Sequence, residues 1–253
     1  RNIDFLQIVI TIGGGKNLKK TEKRYMPYVK PEYKARLFPL IHEIASCIIA
    51  KAGSGEDKQD LAWSLLRYAG TTILAATLIV TARTKNEIKL RYWMIAVTDG
   101  VIMNVKRELK RRKCPQNASF GLRSGFQNLY NRIKREKKAL NPTSLSELFY
   151  TINGLAEEID TIAVEKELDK KTFMGLCNYS LTTLGPLVVM DIYGENFSLE
   201  WLQILALFWE KVAEDFYQET AAPYEDAQMK KNGDCEIFAL IDNRLKINVK
   251  FHT

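Results

Sequence analysis

Histidine and cysteine, the side chains that most often bind metals or act as nucleophiles, are scarce in this chain. Its 253 residues contain two histidines, His42 and His252, and four cysteines. The cysteines lie far apart, without the C-x-x-C spacing of zinc sites and redox motifs: Cys47, Cys114, Cys177 and Cys235. The sequence therefore predicts no metal site, no cofactor and no disulfide framework, and a reducing, intracellular compartment is the simplest setting.

Long hydrophobic runs and catalytic motifs are also lacking. The longest apolar run, Thr71 to Ala82, is about a dozen residues, short of the roughly 20 that cross a bilayer, so we expect no membrane span. The run Gly13-Gly14-Gly15-Lys16 lacks the spacing of a phosphate-binding loop and predicts a turn. No Ser or Cys stands in a nucleophile motif, and we predict no catalytic residues.

One spacing leaves an enzymatic alternative open. Arg36 and His42 stand in an R-x5-H arrangement, loosely similar to HEPN ribonucleases, in which Arg and His from paired helices cleave RNA. Leu37 occupies a position that is usually polar in that family. We interpret His42 as an ordinary, partly buried histidine and keep the ribonuclease as an alternative.

Helical periodicity runs through most of the chain and predicts a mainly α protein. The predicted helices are 35–52, 57–69, 70–83, most of 85–113, 120–140, 144–168, two short helices within 172–190, and 198–218. The two short helices are expected to meet at a bend at Gly185-Pro186. Ile3 to Ile12 and Ile237 to Phe251 are β-branched or alternate apolar with polar residues. These terminal segments therefore predict a small β element.

Charge is unevenly distributed along the chain, whose formal net charge is +7. Residues 83–138 carry 16 Lys or Arg against 4 acids, a balance of +12, whereas residues 139–253 have a balance of −10. The sign changes at the Asn141-Pro142 break. We therefore predict two lobes: residues 1–140, a basic helical lobe with a terminal arm, and residues 141–253, an acidic helical lobe with a terminal hairpin.

The concentrated positive charge is the main functional signal. Like charges at this density repel one another unless an anionic partner offsets them, and a nucleic-acid backbone is the commonest such partner. We predict sequence-independent binding and encapsidation of single-stranded RNA by a self-associating protein. The predicted RNA-binding residues are Arg83, Lys85, Lys89, Arg91, Lys106, Arg107, Lys110, Arg111, Arg132, Lys134 and Arg135. Tyr92 or Trp93 could stack on a base. The alternative is a helical scaffold protein whose basic face docks on an acidic partner.

Three segments form, in order, a buried helix ending in cations, a helix with a basic end before a proline, and an aromatic-rich helix. They are ILAATLIVTARTK (Ile73 to Lys85), AVTDGVIMNVKRELKRRKCP (Ala96 to Pro115) and FQNLYNRIK (Phe126 to Lys134). Together they resemble the central part of nucleoproteins from nonsegmented negative-strand RNA viruses of the pneumovirus and bornavirus type.

That resemblance implies a two-lobed helical protein that clamps single-stranded RNA in a basic groove and links neighbouring subunits through terminal arms. It also implies a ribonucleoprotein in the host cytoplasm or nucleus, or in a virion. Arg83 falls near a phosphate-contacting Lys of the pneumovirus-like pattern. The Arg pair that follows there aligns with Val97-Thr98 here, so the resemblance does not supply a full set of groove residues.

Overall fold

Seven α-helices form most of the described part of the protein. The structure, a computed structural model, describes residues 29–55, 57–83, 90–136 and 142–218, and at 78–83, 90–96, 135–136, 142–144 and 170–171 it describes the backbone alone. The helices are α1 (Pro31–Ala52), α2 (Lys58–Arg83), α3 (Leu90–Arg111), α4 (Phe120–Glu136), α5 (Pro142–Glu165), α6 (Lys170–Tyr193) and α7 (Leu199–Phe216), with a 3₁₀ turn at Gly194–Asn196. Within these ranges no strand occurs, and the mainly α class is confirmed. The predicted terminal strands, Ile3 to Ile12 and Ile237 to Phe251, lie outside the described residues.

Local capping signals fix several helix ends. α1 begins with Pro31, which suits the first turn because the N–H groups there have no partner within the helix. The helix stops at Gly53, whose φ of 68° favours glycine. Asp169 caps α6 by accepting a hydrogen bond from the Thr172 N–H at 2.7 Å, and Gly194, with a φ of 50°, follows the last residue.

The helices α2 and α6 lie at the centre of one hydrophobic core. α2 packs on α1, α4, α5, α6 and α7, and α6 packs on α1, α2, α3, α5 and α7. Trp63 of α2 and Phe208 of α7 are fully buried, with ring centroids 4.8 Å apart. The core contains residues from both sides of position 141. The division into two lobes at that position stays a prediction.

Two predicted helix breaks are absent. Residues 58–83 form the single helix α2, and Pro186 lies inside α6 instead of dividing it. A proline in a helix interior removes one hydrogen bond and clashes with the preceding turn, at a cost of about 3 kcal/mol. Here Gly185 lies against Leu205 and Trp209 of α7, and most of α6 is buried. Burial along the whole helix offsets the local penalty, so the chain continues through the predicted bend.

One helix among the described residues, Thr172–Asn196, is long and apolar enough to cross a membrane by length and composition alone. However, 83% of its most apolar stretch is buried inside the protein. Such burial is typical of the central helix of a bundle, and it accounts for the apolar composition.

Candidate nucleic-acid interface

Nine of the eleven predicted RNA-binding cations lie on α2, α3 and α4. Side chains are described for Lys106, Arg107, Lys110 and Arg111 in the last two turns of α3, and for Arg132 and Lys134 near the end of α4. Only the backbone places the arginines at the end of α2, the start of α3 and the end of α4, which are Arg83, Arg91 and Arg135. Lys85 and Lys89 lie outside the described residues.

The C-terminal end of α3 carries a dense group of cations, which we call the α3 basic end. Its members are Lys106, Arg107, Lys110, Arg111, Arg112 and Lys113. The first two are partly buried, and the last four are exposed. Cations near a helix C-terminus are stabilised by the partial negative charge of the last carbonyl groups, an effect confined to the last turn. Six cations lie within residues 106–113, more than the stabilisation of the last helical turn accounts for.

One carboxylate lies within the α3 basic end. Glu108 accepts hydrogen bonds from Arg111 Nε at 2.9 Å, from Arg111 Nη2 at 2.8 Å and from Arg112 Nε at 2.6 Å. Burial by itself would raise the pKa of the Glu108 carboxyl, but these hydrogen bonds hold it below its ordinary value. Two guanidinium groups therefore share one ionised carboxylate, and the pair of arginines keeps a positive excess.

The α3 basic end is fixed against α7. Lys106 Nζ lies 3.4 Å from the Glu210 carboxylate, and Gln203 Nε2 donates to the backbone oxygens of Pro115 and Asn117 at 2.7 and 3.3 Å. Lys106 thus meets a residue late in α7, whereas the residues that follow α3 meet Gln203, which is early in α7. The two helices therefore run antiparallel. The loop 112–119 is held to α7 by Gln203, and it connects the α3 basic end to the first turn of α4.

The two predicted cations of α4 are both engaged by acids of other helices. Arg132 binds Asp60 of α2 through Nε at 2.6 Å and Nη2 at 3.2 Å. Lys134 Nζ lies 3.1 Å from Asp215 of α7 and 5.5 Å from the ring centroid of Tyr130. Both cations remain about half exposed. An RNA phosphate would have to compete with these carboxylates for them.

Asp215 is the centre of a buried polar cluster that joins α2, α4 and α7. It accepts a hydrogen bond from Arg67 Nε at 2.5 Å and another from the Tyr130 hydroxyl. Burial opposes ionisation of Asp215, yet the hydrogen bonds from Arg67 and Tyr130 lower its pKa below the ordinary value. Burial and the neighbouring carboxylate raise the pKa of Tyr130 well above its ordinary range. The cluster therefore fixes three helices and is not accessible to a large ligand.

The described cations do not form one row. Lys106 reaches Glu210 and Lys134 reaches Asp215, and five residues of α-helix turn through a net angle of about 140°. The structure brings together the cations of the α3 basic end, and it places Arg132 and Lys134 in a second group on α4.

A shallow groove of about 250 Å³ lies between α4 and α7. Its lining residues are Arg123, Phe126, Gln127, Leu207, Glu210, Lys211 and Glu214. Glu210 pairs with Lys106, and Glu214 lies 2.5 Å from Lys211 Nζ. The lining carries two cations, Arg123 and Lys211, and two acids, so the groove has no net charge that would attract a phosphate.

Sequence reasoning missed an exposed aromatic side chain at the start of α4. Phe120, the first residue of α4, is 88% exposed. Phe126 is one of the core positions of α4. Phe120 precedes it by six residues, which corresponds to roughly 120° round the helix axis. That displacement from the apolar stripe was the available signal, because an aromatic residue off the stripe of an amphipathic helix faces solvent.

The Arg36 and His42 pair of the ribonuclease alternative is not assembled as a unit in α1. Arg36 donates to Glu158 at 2.5 Å and to Glu165 at 2.6 Å, both on α5. Those hydrogen bonds raise the Arg36 pKa further. The exposed His42 ring lies 3.4 Å from the Ser46 hydroxyl. Arg36 thus serves as a link between α1 and α5, and no observation here favours RNA cleavage.

No group of three or more His, Cys, Asp or Glu residues within the described ranges is arranged to hold a metal ion.

Comparison of the chain with protein-family models, with curated proteins and with solved structures found no match. The function must therefore be argued from the residues and their arrangement.

Proposed function

We propose that this protein binds single-stranded RNA without sequence specificity and coats it as a self-associating, nucleoprotein-like subunit of an intracellular ribonucleoprotein. The supporting observation is the α3 basic end, a group of six cations with one acid among them, four of the cations being exposed. Such a group attracts a polyanion whatever its base sequence.

The members of the α3 basic end have different roles in this proposal. Lys110 and Lys113 are exposed and act as direct phosphate contacts. Arg111 and Arg112 are held by Glu108, so they add positive potential and can share their remaining N–H groups with a phosphate. Lys106 is partly neutralised by Glu210 and contributes less.

The cations of α4 contribute less to RNA binding than the sequence predicts. Arg132 and Lys134 already neutralise Asp60 and Asp215, and exchanging a carboxylate for a phosphate gains little free energy. Arg83, Lys85, Lys89, Arg91 and Arg135 remain predicted contacts from the sequence.

The test is binding of a fluorescently labelled, unstructured RNA, measured by anisotropy across a salt series. We expect affinity to fall steeply between about 50 and 200 mM salt. The double variant Lys110→Glu/Lys113→Glu should bind more weakly at every salt concentration. Its slope of log K against log salt should be shallower by about 0.7 for each phosphate that the variant no longer neutralises.

The matched control is Lys58→Glu/Lys166→Glu, which reverses one charge at the start of α2 and one just after α5, neither of them in the α3 basic end, and changes the net charge equally. If both double variants lose the same affinity, the effect comes from net charge and the proposed surface is wrong. Absence of RNA binding at low salt, with binding to an acidic polypeptide instead, would favour the scaffold alternative.

A further inference from the structure

The exposed aromatic ring at the start of α4 suggests how the bases of a bound strand are held. We propose that Phe120 is a stacking platform for one unpaired base, beside the phosphate contacts of the α3 basic end. This inference rests on the proposed function, and it narrows the ligand to strands whose bases are not already paired.

Phe120 is the most exposed of the large hydrophobic side chains among the described residues. Its exposure is 88%, compared with 73% for Tyr150 and 63% for Val164. It does not belong to the hydrophobic core or to the side chains packed against that core. Phe120 therefore contributes little to the folded state by burial, and both faces of the ring are open to a ligand.

The position of Phe120 relative to the cations fits a nucleic-acid strand. The loop 112–119 joins it to the α3 basic end, and the hydrogen bonds from Gln203 fix that loop. Arg123 lies one turn further on the same side of α4, and its Nε donates to the Ala118 oxygen at 3.3 Å. Cations thus both precede and follow Phe120 along the chain.

The residues next to the ring leave room for a flat ligand. Gly121 follows Phe120 in the chain, and a Cβ at Gly121 would meet no atom within 4 Å. Ser124, which lies near Phe120 one turn along the helix, is small and exposed. At these two positions, therefore, no bulky side chain covers Phe120.

Stacking of a base on Phe120 is consistent with RNA binding that does not depend on the base sequence. Every base has a flat face that can stack on an aromatic ring, so such an interaction adds affinity without reading the sequence. The bases of a duplex are already stacked and paired, so a duplex offers Phe120 no free base inside the helix. The charge of the α3 basic end supplies the attraction, and Phe120 supplies the preference for single strands.

Phe120→Ala tests the inference in the same anisotropy assay. Removal of the stacking surface for one base should weaken binding of unstructured single-stranded RNA by about 5-fold or more. Binding of duplex RNA and of inorganic polyphosphate should not change, and the salt slope should stay that of the wild type because the phosphate contacts remain. Phe120→Trp should retain the wild-type affinity.

Tyr150→Ala is the matched control, because it removes another exposed aromatic ring on a different helix, α5. If wild-type protein binds RNA and Phe120→Ala binds single strands equally well, the stacking role is wrong while RNA binding stands. An equal loss for polyphosphate and duplex would also overturn it, since the ring would then act by shaping the surface. Failure of the wild-type protein to bind any RNA would overturn the proposed function itself.

Discussion

Asp215 is a buried carboxylate that takes part in two ion pairs and also accepts a hydrogen bond from a tyrosine. Arg67, Tyr130 and Lys134 all contact its carboxylate, whose side chain is 4% exposed. Arg67 and Asp215 are 148 positions apart in the sequence. Local spacing identifies charged residues but cannot pair groups so distant. For this reason the sequence, which predicts Lys134 as an RNA contact, did not show that this lysine also lies against Asp215.

Asp215→Asn should destabilise the protein in a pH-dependent way. The folded-state pKa of Asp215 lies below the ordinary value, so its ionisation stabilises the fold above about pH 4. That contribution is lost as the pH falls through the lower folded-state pKa. Because the substitution removes the negative charge that lies against the buried Arg67 guanidinium, we expect the free energy of unfolding at pH 7 to fall by about 3 kcal/mol.

Urea unfolding of the wild type and of Asp215→Asn at a series of pH values measures this difference. The difference should be largest near neutral pH and shrink towards strongly acidic pH. Asp99→Asn, a substitution at an exposed position of α3, is the control and should have little effect. A difference that is constant across the pH range would mean that Asp215 acts through packing and not through its charge.

The helices themselves were more predictable than their breaks. The residues Leu37, Ile41, Ile44 and Ile48 of α1 are spaced three or four apart, as in the apolar stripe of a helix, and all four are fully buried. The predicted breaks failed because glycine and proline are read from local conformational preference alone. The packing of Gly185 against α7 is a property of the folded protein, and no local pattern contains it.

Gly70→Ala and Gly154→Ala should have opposite effects on stability. A Cβ at Gly70 would lie 2.7 Å from Cζ3 of Trp209, a ring that is 1% exposed and has no room to move. We expect a loss of about 1 to 3 kcal/mol in the free energy of unfolding from this overpacking. Gly154, in the middle of α5, has no atom within 4 Å of its Cβ position. Alanine there should stabilise the helix by about 0.5 to 1 kcal/mol.

Denaturant unfolding at neutral pH gives both values, and the two variants serve as controls for one another. Each introduces the same methyl group into a helix, so helix propensity alone would stabilise both. If Gly70→Ala also proved stabilising, the close packing of α2 on α7 would be wrong.

At the scale of the whole molecule, the fold brings together the charges that the sequence separates. Arg36 pairs with Glu158, Lys51 with Glu147, and Arg67 with Asp215, each joining a basic residue before position 141 to an acid after it. Other pairs of the same kind join α3 and α4 to α7. The charge asymmetry of the sequence was correctly identified, but part of it stabilises the subunit itself. Among the described residues, the α3 basic end retains an excess of positive charge over negative charge.

The ion pairs within each subunit affect how strongly subunits attract one another. Acids already bound within the subunit are less available to the basic surface of a neighbour, so attraction between free subunits should be weak. A bound RNA strand places neighbouring subunits side by side and raises their effective concentration. We therefore expect the RNA-free protein to sediment as a small species and to assemble when single-stranded RNA is added. The RNA must be long enough to span several subunits.

Sedimentation velocity at a fixed protein concentration, with RNA oligomers of increasing length, tests that expectation, and electron microscopy should then show rings or filaments. Lys110→Glu/Lys113→Glu should require more RNA to reach the same assembly, whereas Lys58→Glu/Lys166→Glu should behave as the wild type. If saturating long RNA carried only separate subunits that do not touch, RNA binding would stand and encapsidation would not. Assembly that is complete without RNA would instead show that contacts between subunits, and not the strand, drive the polymer.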